Sequence, residues 1–113
     1  MRPRSRSYLR DALENAAIII DSVTGKSLRD YEADIRLRHQ VEREFMIIDE
    51  AIDRLDKLEP QLAARITDFR GYIGLRNVLN HGYPDVDRPT MWRTIKVELP
   101  ILVRELTELL SEA

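Results

Sequence analysis

The chain has 113 residues, 43% of them hydrophobic and 34% charged, which suits one compact domain spanning 1–113 and leaves room for an oligomer interface to add stability. With no cysteine, disulfides and thiolate metal sites are excluded, and the apolar run Ala16 to Ile20 falls far short of the roughly 20 residues of a membrane span. A formal charge of −2 argues against coating nucleic acid by bulk electrostatics, yet permits a local basic groove. From the N-terminus, Arg2, Arg4, Arg6 and Arg10 precede an apolar stretch that breaks at Asp21 without a cleavage pattern, so a cytoplasmic protein is expected. A first helix is predicted from near Ser5 or Ser7. Leu9, Ala12, Ala16, Ile19, Ile20 and Val23 form its apolar stripe, and Gly25 supplies the stop. Ser27 followed by Asp30 reads as the start of a short helical turn.

The second long helix is predicted over about Asp34 to Leu58. Its seam is Leu37, Val41, Phe45, Ile48, Ile52 and Leu55, widened by Met46, Ile47 and Ala51, so it should touch more than one neighbour. Pro60 ends or redirects it, and 61–66 reads as a short helical connection. A third helix is expected over 66–80, ended by His81-Gly82-Tyr83-Pro84. Asp87 then caps the last helix, with Pro89 in its first turn. Trp92, Ile95, Leu99, Leu102, Leu106 and Leu109 line that helix, and Pro100 should kink it without ending it. No segment has a strand period. An all-α fold follows, an antiparallel four-to-five-helix up-and-down bundle with a kinked C-terminal helix.

The third helix holds the informative anomaly. Ile66, Phe69 and Ile73 predict a buried stripe whose continuation is Asn77, Asn80 and His81, with Arg76 beside them. At about 100° per residue, Arg76 and His81 stand roughly 140° apart with the asparagines between, while Leu75 and Leu79 hold the opposite side in the core. All four polar side chains can border one cleft. A helix end emerging into water explains the same pattern, since basic residues there complement the helix dipole.

The segment Arg76-Asn77-Val78-Leu79-Asn80-His81-Gly82-Tyr83 resembles the Arg-x4-His-x-Tyr motif of the HepT-like toxins in the HEPN superfamily. The resemblance extends to Gly74-Leu75, to Pro84-Asp85-Val86-Asp87, and to Trp92 followed by Leu99-Pro100. It also covers Val41-Glu42-Arg43-Glu44 through Glu50-Ala51, although the glycine often found before Glu-Ala is Asp49 here. The resemblance implies a HEPN-like bundle that dimerises with two motifs facing a shared cleft, and a metal-independent endoribonuclease that needs no cofactor. It implies a toxin of a type II or type VII-like toxin–antitoxin system, neutralised by a cognate nucleotidyltransferase antitoxin. In some such pairs AMP is transferred to the motif tyrosine, here Tyr83.

Those residues suit the chemistry. An imidazole such as His81 titrates near ~6.5 and can exchange protons near neutrality. Arg76 stays cationic and can pair with phosphate oxygens. Asn77 and Asn80 could orient the histidine or contact a ribose hydroxyl. Tyr83 reads equally as a packing aromatic. His39, among Arg36, Arg38 and Arg43, reads mainly as a surface residue, and Asp85 and Asp87 as turn and cap. No His/Asp/Glu cluster has metal-ligand spacing. The alternative function is a non-catalytic HEPN subunit that docks a nucleotidyltransferase or its substrate.

Overall fold

The computed structural model describes residues 1–80 and 87–112, with the backbone alone over 76–80. Among the described residues there is no strand. Helix α1 (Pro3–Val23) begins with proline at its first position, where a missing N–H costs nothing. It buries Leu9, Ala12, Ala16, Ile19 and Val23, and Gly25 follows at φ +78 in the left-handed region. Ile20, expected in the stripe, is half-buried at its edge.

Helix α2 (Leu28–Ala33) opens with a full capping box. Ser27 Oγ accepts from the Asp30 N–H at 3.1 Å, and the Asp30 carboxylate accepts from the Ser27 N–H at 2.9 Å. Helix α3 (Ile35–Leu58) follows at once, capped by Asp34, whose carboxylate accepts from the Leu37 N–H at 3.1 Å. All six predicted seam residues of α3 are buried, together with Ala51. Pro60 starts the four-residue α4 (Pro60–Ala63). α3 packs along α1 on one side and along α5 (Phe69–Asn80) on another.

α5 starts three residues later than the spacing suggested, because Asp68 adopts φ +55 and breaks the helical phase between Ile66 and Phe69. The buried face differs accordingly. Ile66 is buried in the connection, Phe69 and Ile73 are only half-buried, and Tyr72 occupies the interior at 4% exposure.

The last helix comes in three parts: α6 (Arg88–Arg93), a π-helical turn (Thr94–Glu98) and α7 (Leu99–Ser111). Pro100 cannot donate to the Lys96 carbonyl and would crowd it in a regular α-helix. The wider turn absorbs this conflict, the Leu99 N–H bonding to the Thr94 carbonyl. It also corrects the predicted stripe. An extra residue in the turn resets the phase, so Met91, Ile95 and Leu99 face the core four apart, and Trp92 is left half-buried. Trp92 packs instead against the ring of Tyr31 at 5.6 Å, with the Lys96 ammonium 5.5 Å above it. Helix α7 closes the bundle against α1 through Leu102, Leu106 and Leu109.

Candidate active site

The backbone of α5 carries Arg76, Asn77 and Asn80 through its final turns. Their side chains and that of Leu79, and all of His81, Tyr83 and Asp85, lie outside the described residues, as does the predicted convergence on one cleft. What the described residues define is the frame around the start of this helix and the segment that follows the motif.

At the start of α5, the Glu105 carboxylate of α7 clamps Thr67, accepting its N–H at 2.9 Å and its hydroxyl at 2.8 Å. Two turns further along α7, Glu112 pairs with Arg65 through two parallel bonds of 2.8 and 2.5 Å. Bidentate pairs of this kind fix geometry as well as charge. Asp68 turns the chain into α5, its carbonyl accepting from the Gly71 N–H at 3.0 Å. Its carboxylate lies so close to Gly71 that a Cβ there would collide with it. Burial, with Glu98, Asp68 and Glu105 close by, pushes the Tyr72 hydroxyl far above its usual range, so Tyr72 stays neutral.

By helical register, positions 76 and 80 follow the buried Tyr72 one and two turns on along the backbone of α5. Of the expected row, Phe69 and Ile73 are half-buried, and its continuation through Asn77, Asn80 and His81 lies outside the described side chains. The exposed side carries Arg70, Gly71 and Gly74, and the half-buried Leu75 packs against the core.

Beyond the motif, Asp87 resumes the described chain as the cap of α6. Its carboxylate accepts from the Thr90 N–H at 3.1 Å and from the Thr90 hydroxyl at 2.7 Å. These bonds hold its pKa below the ordinary range. The cap reading of Asp87 therefore accounts for its carboxylate. Tyr31, beneath Trp92, is pushed up to about 12 by burial and by Glu42, which keeps it neutral too.

His39 and Arg36 are exposed on the first turns of α3, and the neighbouring Arg38 guanidinium donates to the Glu32 carbonyl of α2. At the N-terminus, Glu59 accepts from the Arg2 N–H and the Ser5 hydroxyl, each at 2.7 Å, which ties α1 to the end of α3. Arg4 lines an open groove of about 330 Å³ with Tyr8, Arg54, Lys57 and Leu58. Two of its cations are already paired, Arg54 with Glu50 at 2.6 Å and Lys57 with Asp53 at 3.0 Å. Among the described residues no group of three or more His, Asp or Glu side chains could hold a metal ion. Nor is any described helix long and apolar enough to cross a membrane.

Two residues of this frame escaped the sequence reading. Tyr72 sits between the predicted positions Phe69 and Ile73, and only the late start of α5 turns it inward. Asp49 is fully buried on α3. Its signal was its position, a carboxylate one turn after Phe45 and three residues before Ile52, beside the apolar seam of α3.

Comparison with known proteins agrees with this architecture. The family model described as "Ribonuclease HepT-like" matches residues 12–109. A candidate RNase of Caldanaerobacter subterraneus subsp. tengcongensis, TTE0752, is 30% identical over 107 residues, covering 95% of each chain. Two candidate RNases of Methanocaldococcus jannaschii are also similar. MJ1216 is 26% identical over 95% of this chain and 88% of its own. MJ1380 is 25% identical over 89% and 92%. No solved structure gives a significant match.

Proposed function

Because the chain belongs to the ribonuclease HepT-like family, we propose that it is a metal-independent endoribonuclease toxin whose cleavage is performed by Arg76 and His81 at a homodimer cleft. The observation that carries this reading is the placement of the motif. Arg76 and Asn80 follow the buried Tyr72 by one and two turns along the backbone of α5, and the whole Arg-x4-His-x-Tyr motif lies within the stretch that the family model covers.

The chemistry requires no group beyond the protein and the RNA. The substrate's 2′-oxygen attacks the adjacent phosphorus, and the bond from phosphorus to the 5′-oxygen breaks. A neutral imidazole takes the proton of the 2′-hydroxyl, and a protonated one delivers a proton to the departing 5′-oxygen. The products are a 2′,3′-cyclic phosphate and a 5′-hydroxyl. One His81 per chain serves one of these roles, and a two-fold dimer supplies the second. Arg76 faces the charge that grows on the phosphoryl oxygens, where a guanidinium gives paired hydrogen bonds. Asn77 and Asn80 orient the imidazole or a ribose hydroxyl.

A cytoplasmic nucleotidyltransferase antitoxin would restrain this activity by transferring AMP from a nucleoside triphosphate to the Tyr83 oxygen, with pyrophosphate leaving. The attached phosphate is an anion beside Arg76 and His81, and it competes with substrate for the same donors. Incubating the purified protein with RNA in excess EDTA tests the reading. Fragments ending in cyclic phosphate are expected, and their loss in Arg76→Ala and His81→Ala variants that remain folded and dimeric. RNA left intact by the parent protein refutes the enzymatic reading and favours a docking subunit. An unchanged mass of the protein after co-expression with the nucleotidyltransferase removes Tyr83 from the account.

A further inference from the structure

Trp92 is the one tryptophan of the chain, and the phase set by the π turn (Thr94–Glu98) puts Met91 in the core in its place. Wide turns of this kind recur at functional sites. Trp92 is half-buried, packing on Tyr31 of α2 with ring centroids 5.6 Å apart and planes tilted by 38°. The rest of the indole surface is open to solvent, an apolar ring with no protein to cover it.

Its neighbours along the helix are cations. Arg88, Trp92 and Lys96 recur every four residues, the spacing at which helical side chains are adjacent, with ~6 Å of rise at each step. The Lys96 ammonium lies 5.5 Å from the centre of the Trp92 ring. Arg88 is near enough for its charge to act on the Tyr31 hydroxyl. Among the described residues no carboxylate forms an ion pair with Arg88 or Lys96. Asp87, next to Arg88, has both carboxylate oxygens engaged by Thr90. Lys96 is exposed, where a cation–π contact is weak, so its ammonium can leave the ring for a phosphate when a base takes its place.

A ring between two cations matches the repeat of a single-stranded nucleic acid, in which each base is flanked by phosphates. Unpaired bases of any identity stack on aromatic side chains, and the cations meet the backbone. The row also lies close to the motif in the chain and in the bundle. α5 returns along α3 towards the end where α2 meets α6, and Asp87 caps α6 six residues after His81.

We propose that Trp92 is a base-stacking platform, flanked by Arg88 and Lys96 as phosphate contacts, that holds an unpaired nucleotide of the RNA beside the cleavage site. The inference rests on the ribonuclease reading made under the proposed function. It adds a preference for single-stranded RNA, since a base already stacked in a duplex cannot use the ring.

With a single tryptophan in the chain, fluorescence reports on this contact directly. The probe is a short single-stranded oligonucleotide carrying 2′-O-methyl groups, which lacks the free 2′-hydroxyl and is not cleaved. Titrated into the full-length protein it should quench Trp92, whereas inorganic polyphosphate, which offers charge without bases, should not. Trp92→Leu should weaken binding about 5- to 100-fold, read by anisotropy of the labelled oligonucleotide, and Trp92→Phe much less. Arg88→Gln and Lys96→Gln should each make the log–log salt dependence of binding shallower by about 0.7. With cleavable RNA, Trp92→Leu should raise KM more than it lowers kcat, the pattern of a contact kept from the bound state through the reaction.

Binding that leaves the fluorescence unchanged overturns the proposal, as does a Trp92→Leu variant that melts lower yet binds as tightly, since Trp92 would then only cover Tyr31. Equal quenching by polyphosphate, or no binding of the oligonucleotide, overturns it too. Fluorescence that responds to the nucleotidyltransferase and not to the oligonucleotide marks a protein contact, with the same consequence. A parent protein that is quenched yet leaves RNA uncut refutes the cleavage reading while the platform stands, and cleavage without quenching does the reverse. Should Trp92→Leu fail to fold, Trp92→Phe and the parent's own fluorescence decide.

Discussion

The Glu105 clamp is the contact most directly tied to where α5 begins, and removing it has a calculable cost. Glu105 accepts two hydrogen bonds from Thr67, at 2.9 Å from the N–H and 2.8 Å from the hydroxyl. A hydrogen bond to a charged group contributes about 1.5–3 kcal/mol when shielded, but Thr67 is exposed and Glu105 half-buried. Discounted for solvent, the two together come to about 1–2 kcal/mol. For a domain of this size that corresponds to a melting temperature lower by roughly 5–12 °C in Glu105→Ala. Glu105→Gln keeps an acceptor for the N–H and offers its amide to the Thr67 hydroxyl, so it should lose less than half as much. The assay is thermal unfolding followed by circular dichroism, with RNA cleavage measured well below the transition. Since the clamp sets the start of α5 and the motif lies at its end, cleavage should fall together with stability in the alanine variant. An alanine variant that melts within about 1 °C of the parent would refute the reasoning, because the two bonds would then contribute nothing net.

Two further outcomes follow from the core and from the caps. Phe45 has no exposed surface, and Phe45→Ala should lose about 3–5 kcal/mol, read as a lower urea midpoint with an unchanged slope. Stability should also fall in acid. The Arg2 N–H and Ser5 hydroxyl hold Glu59 below its ordinary 4.5, and bonds from Ser27 and Thr90 hold Asp30 and Asp87 below 3.8. The unfolded chain therefore binds more protons across this window, so these groups contribute fully above their ordinary values and lose that contribution as pH falls below them. Melts between about pH 3 and pH 7 should show the decline, and Glu59→Gln should be less sensitive to acid over the same range. A parent and variant with parallel profiles would contradict the assignment to Glu59.

Much of the frame is legible in the chain itself. The end of α1 before Gly25, the span of α3, the Ser27–Asp30 box, and the caps at Asp34 and Asp87 follow from local chemistry, whereas α1 starts at Pro3, ahead of the expected Ser5 or Ser7. Each is decided by residues three or four apart that touch within one turn. The seam of α3 is legible for a related reason, since a helix that buries one side over 24 residues must repeat its apolar positions. The same periodicity marks Asn77, Asn80 and His81, with Arg76 beside them, as polar residues where an apolar row would continue.

Other features depend on contacts between distant segments. The left-handed Asp68 shifts the phase of α5 and turns Tyr72 inward, and the segment around it is held by Glu105 and Glu112 from 38 and 47 residues away. The π turn ahead of Pro100 exchanges Trp92 for Met91 in the core, because a proline conflict can be relieved by widening the helix as well as by bending it. Asp49 reads in sequence as one more charge on a long polar helix, yet it is sealed between helices. The sequence by itself determined which segments are helical and where the chemical residues fall along them, since hydrogen bonds, caps and apolar period act over a few residues. Only the tertiary structure decided that Tyr72 is the inward residue at the start of α5 and that Asp49 is sealed inside, because both depend on how helices far apart in the chain come to pack.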